Sequence, residues 1–490
     1  MDRREFLGLG TCFAACSALG GKQGATIGKG PVRATFGVLS DVHVRNAISA
    51  EKNLLPALTW FRGNAVDGVV CCGDMTDTGF RNQLEAFAAV WHQVFPDGLG
   101  ANGKKVEKLF VYGNHDIDGF KYGKFDPALV AKDAIGLENH RKAFYEDLFH
   151  EKWEPLWLKK VNGYAFVGLN YGHAADTMWN SNGRWSGVYD LEAFLAEHRE
   201  ELPSDKPFFY LQHIHPAGTC LSPWTWLVDN GQSTKVLSKW PNAVAISGHS
   251  HHILTNDQSV WRGAFTSINA GSTQCGSLDL TGGRENSHFY VIGKNTEDSG
   301  EQMPSQEGTG DASHAMIMRI YDDGIVLVRR ELTRGESLGP DLKIPWPPQP
   351  ADYAQRGRET PVPSFAPDAT VSISRGTGRN RAGQETEQLT VTFPTAVADG
   401  IRAYDYEVRA EVRDCDVEYV WRAKRVFSPQ VQYGVKSDVR PVTCVFALDE
   451  LPRPYANSSQ RQLRFAVQPC NAYGGKGAAI TSAWKEPERR

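Results

Sequence analysis

The chain has 490 residues, too many for one ordinary domain, and its 41% apolar content is that of a globular protein. Lys and Arg number 53 against 57 Asp and Glu, for a formal net charge of -4. That balance gives no reason to expect a nucleic acid duplex as partner, because phosphate-backbone binding needs a concentrated basic surface.

The first elements are not part of a fold. Arg3 and Arg4 precede an apolar, small-residue run from Phe6 to Leu19, shorter than the ~20 residues a membrane-spanning helix needs. This pattern predicts an export signal, and the paired arginines before Glu5-Phe6-Leu7 resemble the twin-arginine type, read by a transporter of folded proteins. A periplasmic or cell-surface location is expected, and Cys16 after Phe13-Ala14-Ala15 offers a lipid-attachment position, with Phe an imperfect residue three before it. No later stretch is apolar and long enough to span a bilayer. Residues 1–30 are assigned to this signal and a flexible N-terminus.

From residue 31, short apolar strands alternate with longer helical patterns. Strands are predicted at Thr35 to Leu39, Asp67 to Cys72, Lys108 to Tyr112, Tyr164 to Leu169, Phe208 to Leu211 and Ala243 to Ile246. Helices are predicted at Ala50 to Phe61, Gln83 to Val94 and Leu191 to Glu201. Closing strands follow at Ala264 to Asn269, His314 to Ile320 and Gly324 to Val328, with a surface insertion over Asp279 to Gly310. This is an α/β domain over residues 31–333. A Pro-rich connector is expected over 334–366, where proline suppresses helix and central strand. Residues 367–490 read as all-β, with short alternating strands such as Leu389 to Phe393 and Val442 to Phe446, and no histidine follows His314. Cys415, Cys444 and Cys470 offer one disulfide there, whereas adjacent Cys71 and Cys72 read as buried small apolar residues.

Polar motifs fall where strands end: Asp41-x-His43, Gly73-Asp74, Gly113-Asn114-His115-Asp116, His213 and Gly248-His249-Ser250-His251. Each is weak alone, and their order is the signal. Asp41, His43, Asp74, Asn114, His213, His249 and His251 are seven oxygen and nitrogen donors, more than the four of a closed structural zinc site, and suggest two ions sharing a bridge. Glycines 73, 113 and 248 permit tight turns and close backbone approach.

These blocks, with Gly73-Asp74-Met75-Thr76-Asp77, resemble the calcineurin-like metallophosphoesterase signature over about residues 34–255. The resemblance implies two facing sheets flanked by helices. It implies one ion on Asp41, His43 and His251, a second on Asn114, His213 and His249, Asp74 between them, and His115 as the uncoordinated histidine beside the leaving group. Two divalent or transition ions, Mn, Fe or Zn, are the expected cofactors. The expected reaction is phosphodiester hydrolysis by a metal-bridging hydroxide, with His115 stabilising or protonating the leaving oxygen and Asp116 orienting its imidazole. The alternatives are an exported phosphomonoesterase with the same site and a non-catalytic binding protein. The substrate is expected to be a small-molecule, lipid or sugar phosphoester, with His173 and Trp261 as contacts. The C-terminal domain resembles a fibronectin type III or immunoglobulin-like sandwich, on Phe465-Ala466-Val467-Gln468-Pro469, Asn471-Ala472-Tyr473-Gly474-Gly475 and the strand from Ile480.

Overall fold

A computed structural model describes residues 27–118, 137–171, 191–220, 229, 231–274, 313–350, 360–379, 384–396, 403–415, 417–428, 441–453 and 461–487. The expected export signal with Cys16, the 279–310 insertion and His173 lie outside these residues. No described helix is long and apolar enough to cross a membrane.

Two sheets form the N-terminal domain. In the first, β1 (Ala34–Leu39), β2 (Gly68–Cys72) and β3 (Glu107–Val111) run parallel, and β10 (His314–Tyr321) and β11 (Gly324–Glu331) extend it antiparallel from β1. In the second, β5 (Tyr164–Leu169), β6 (Phe208–Leu211), β7 (Ala243–Ser247) and β9 (Thr266–Asn269) run parallel, flanked by β4 (Leu156–Val161) and β8 (Val260–Arg262). The parallel strands are buried on both faces, which is why they read as largely apolar runs. Phe36, Val38, Val70 and Leu109 face Phe166, Phe209 and Ile246 in one buried cluster, and the Phe166 and Phe209 rings stack at 4.8 Å. Alternate residues Leu39, Cys71 and Phe110 join the helical layer. Each such side chain contributes about 1.5–3 kcal/mol by burial. Cys71 and Cys72 are accordingly both buried, on opposite faces.

The helix predicted from Ala50 to Phe61 is two helices, Ala47–Asn53 and Leu55–Gly63. Asn46 caps the first, accepting from the Ser49 amide at 2.9 Å, and Pro56 sits in the first turn of the second, where its missing N–H costs nothing. The connector expected from residue 334 is also corrected. Its first part pairs with β11 as β12 (Glu336–Ser337) and β13 (Leu342–Pro345), so the first sheet runs past 333. Both lie at the sheet edge, where proline is tolerated because its N side has no ladder partner to lose.

The C-terminal domain has a three-stranded sheet of β14 (Ser372–Arg379), β15 (Glu385–Phe393) and β18 (Val442–Ala447). A four-stranded sheet follows the order β17 (Val417–Phe427), β16 (Asp405–Asp414), β19 (Arg461–Cys470) and β20 (Ile480–Thr481). Val391, Phe393 and Phe446 of the first pack on Tyr406, Val408 and Phe465 of the second. Cys415, Cys444 and Cys470 are not joined by a disulfide: Cys444 is held in the core, Cys470 is buried and Cys415 is exposed.

Candidate metal centre

The parallel register of β1, β2 and β3 carries the chain past its strand ends at one edge of the first sheet, and β6 and β7 do the same in the second. Leu39 pairs with Cys71, so the next residues stay adjacent: the Asp41 amide donates to the Gly73 carbonyl at 3.0 Å, and the His43 amide to the Asp74 carbonyl at 3.0 Å. Within the second sheet, the Gly248 amide donates to the His213 carbonyl at 2.8 Å, and across the sheets the His249 amide donates to the Asp41 carboxylate at 2.9 Å.

Two separate sets of donors result. Asp41, His43 and His251 form one, and Asp74, His213 and His249 the other; His43, Asp77 and His115 make a further group that overlaps the first through His43. His43 Nε2 lies 3.0 Å from His251 Nε2, and His251 Nε2 3.3 Å from Asp41 Oδ1. His213 Nε2 lies 3.0 Å from Asn114 Oδ1, 3.1 Å from His249 Nδ1 and 3.1 Å from Asp74 Oδ2. That same Asp74 oxygen is 3.6 Å from His43 Nε2, so one carboxylate joins both sets.

The chemistry of these donors fits cations. His213 Nδ1–H donates to the Cys72 carbonyl at 2.7 Å, and His43 Nδ1 faces the Asp77 carboxylate at 3.3 Å. In the neutral ring each Nε2 is then a lone pair, turned toward other lone pairs. A proton satisfies one such approach around His213, whereas a cation satisfies all of them. Orientation of ligating imidazoles by carbonyls and carboxylates is the usual arrangement around bound metals.

Charge follows the same geometry. Burial alone would raise Asp41, but His251 and His213 outweigh it and hold its carboxyl at about 2. Asp74 is held well below the ordinary carboxylate range against its burial, chiefly by His213 and His115. For His213, burial is overcome by Asp74, which lifts the imidazole to about 9. Burial dominates His249 and His43 and lowers both.

The backbone here is unusual. Asp41, His43, Asp74, His249 and His251 all have left-handed φ, between 47° and 70°. Such conformations in non-glycine residues cost of order 1–3 kcal/mol each and persist where the surroundings over-determine them. Gly73, at φ 93°, closes the turn between β2 and Asp74, and a Cβ there would sit 2.5 Å from His213 Nδ1. At Gly248 a Cβ would fall 1.9 Å from Ser40 Oγ and 2.5 Å from Asp41 Oδ2.

His115 stands beside this cluster, its ring edge-on to His43 at 4.6 Å between centroids. Its amide donates to Asp74 Oδ1 at 2.8 Å, and its Nδ1 faces the backbone carbonyl of Asp77 at 2.7 Å. The expectation that Asp116 orients this ring is therefore corrected. The buried Asp116 carboxylate accepts from the amides of Met75, Thr76 and Gly113 and from the Thr76 hydroxyl, at 2.8 to 3.2 Å. Burial and then Asp74 push its carboxyl up to about 6. Asp116 ties the loop after β2 to the loop after β3, because acceptors are needed for amides that leave the ladder.

Of the expected substrate contacts, Trp261 lies on β8 at the edge of the second sheet and packs against Phe265 at 5.2 Å. His215, buried and pushed down to about 3 by that burial, binds Ser247 and Ser250 at 2.7 and 2.8 Å and braces the His249–His251 loop. Sequence reasoning gave Asp77 no role, although its place three residues after Asp74 puts it on the same turn. It pairs with Arg45 at 3.0 Å as well as with His43.

Residues 34–252 match the family model described as Calcineurin-like phosphoesterase. Among solved structures, the chain is similar to a conserved uncharacterized protein from Streptococcus pneumoniae TIGR4, titled a predicted phosphoesterase. Identity is 13%, covering 64% of this chain and 97% of that one, with a TM-score of 0.25. It is also similar to Vacuolar Protein Sorting 29 from Cryptosporidium parvum, at 11% identity over 64% of this chain and 97% of that one, with a TM-score of 0.25. No curated protein matches.

Proposed function

We propose that the protein is an exported phosphodiesterase working with two bound cations; the match of residues 34–252 to the Calcineurin-like phosphoesterase family model supports metal-dependent phosphoester hydrolysis. The observation that carries the reading is the pair of donor sets joined through Asp74, with His115 at their side. Asp41, His43 and His251 would hold one ion, Asn114, His213 and His249 the other, and Asp74 both. When bound, two such ions supply Lewis acidity toward phosphate oxygens and a water of lowered pKa as nucleophile. Mn, Fe and Zn all suit mixed nitrogen and oxygen donors.

The chain's own residues do the rest. With Nδ1 directed to the Asp77 carbonyl, His115 presents Nε2 from the opposite side of its ring. As imidazolium it gives a proton from Nε2 to the departing alkoxide, and as neutral ring it has none to give there. Asp77 keeps His43 aligned and is itself paired with Arg45. That engagement of Arg45 favours a diester over a monoester, since a terminal phosphate dianion asks for additional fixed positive charge while a diester carries one negative charge. Export rests on Arg3, Arg4 and the apolar run to Leu19. The division of the C-terminal domain into three- and four-stranded sheets supports a fibronectin type III-like reading.

The test uses metal-depleted protein reloaded with Mn, Zn or Fe, comparing bis-p-nitrophenyl phosphate with p-nitrophenyl phosphate, and Asp74→Asn as control. Diester kcat/KM should exceed monoester kcat/KM by about tenfold or more, some 1.4 kcal/mol of discrimination, and vanish in the control. Preference for the monoester would make the protein a phosphatase. No metal-dependent turnover of either would favour a binding role.

A further inference from the structure

The segment that follows His251 is held from two directions. On the side of its own domain, Asn269 donates to the His252 carbonyl at 3.0 Å and the Leu254 amide donates to His314 Nδ1 at 3.1 Å, while the Leu254 carbonyl accepts from Arg329 at 2.6 Å. On the other side stands the C-terminal sandwich. Ile253, wholly buried, packs with Tyr404 and Ala472 in an apolar cluster separate from the other cores. Gln258 Nε2 donates to the Ala472 carbonyl at 2.5 Å, Asn256 Nδ2 to the Tyr404 hydroxyl at 3.4 Å, and the Tyr473 hydroxyl to the Asp257 carbonyl at 3.2 Å.

We propose that the C-terminal sandwich is a positioning part of the metal centre: by docking on residues 253–258 it holds His251 in ligating geometry, so metal affinity depends on a domain that supplies no ligand. His251 keeps a left-handed φ of 55°, which a histidine gives up unless its flanks are fixed. Its C-terminal flank reaches the sandwich two residues on, at Ile253. His249 differs, because the Asp41 carboxylate grips its amide directly at 2.9 Å. Releasing the dock should therefore weaken the set of Asp41, His43 and His251 and spare that of Asp74, His213 and His249. Tyr404, Ala472 and Tyr473 are positioning residues; none belongs to either donor set.

The inference rests on reading the two sets as metal sites, and the experiment separates the two claims. Mn²⁺ is titrated calorimetrically into metal-depleted full-length protein, with amide exchange over 252–259 recording whether the dock is open. Wild type taking up no Mn²⁺ would sink the metal reading itself, and this inference with it. Given two equivalents in wild type, Tyr404→Ala and Ala472→Asp should each weaken one Kd about tenfold and leave the other within about twofold, and Tyr404→Phe should restore both. Two unchanged Kd values in either variant, with faster exchange over 252–259, would overturn the proposal. So would equal weakening of both sites, the signature of a domain that only stabilises the whole chain.

Discussion

The carboxylate of Asp77 faces His43 Nδ1 at 3.3 Å while its backbone carbonyl faces His115 Nδ1 at 2.7 Å, so one residue orients two imidazoles with different atoms. Substitution can separate the two roles, because Asp77→Asn changes the carboxylate and leaves the carbonyl. Mn²⁺ affinity at the set containing His43 should fall about 10–100-fold, the usual effect of losing an outer partner of a ligating histidine. Across a series of aryl phosphodiesters, the dependence of kcat on leaving-group pKa should stay at its wild-type slope. A steeper slope, like that expected for His115→Ala, would show that the carboxylate also acts on His115. Asp116 illustrates what sequence adjacency does not decide: it follows His115 directly, yet its oxygens are taken by three amides and a hydroxyl of neighbouring turns.

At the scale of elements, the site exists because parallel strands end together. β1 and β2 in one sheet, and β6 and β7 in the other, deliver their following loops to a common edge, and the loops touch through Asp41 and His249. Gly248 sits where the two sheets' loops approach closely, since an added Cβ would meet Ser40 and Asp41 at under 3 Å. Gly248→Ala should cost about 1–3 kcal/mol by overpacking and reduce Mn²⁺ stoichiometry, because Asp41 must move. Gly376→Ala, whose Cβ meets nothing within 4 Å, is the matched control. Calorimetric unfolding and metal analysis of both proteins check this, and full Mn²⁺ occupancy in Gly248→Ala would refute it. The strands themselves were legible as apolar runs bounded by Gly and Asp. β17 was not, since its sequence VEYVWRAKRVF mixes charge with apolar residues at a sheet edge, with Val420 and Trp421 exposed.

Across the whole molecule, the C-terminal sandwich combines an apolar core with charge pairs along β16 and its neighbours. Glu407 accepts from Lys476 at 2.6 Å and Arg409 at 3.1 Å. Burial alone would raise its carboxyl, but Lys476 and Arg409 outweigh it and hold it below the ordinary glutamate value. A depressed carboxyl stabilises the fold above its unfolded pKa and ceases to do so as pH falls through its folded one. Tm should therefore drop more steeply below about pH 4.5 in wild type than in Glu407→Gln, as scanning calorimetry would show; parallel slopes would contradict it. The order and spacing of Asp, His, Asn and Gly at strand ends, the α/β pattern with its all-β successor, and the proline-marked passage between them are properties of the sequence alone, because apolar periodicity and turn residues act locally. Which nitrogen of each histidine faces the cluster, the left-handed backbone of five of its residues, the partner of Asp116, the pairing of residues 342–345 into the first sheet and the docking of Tyr404 on the His251 segment were decided by tertiary structure. These depend on contacts between residues up to more than two hundred positions apart, which no local pattern records.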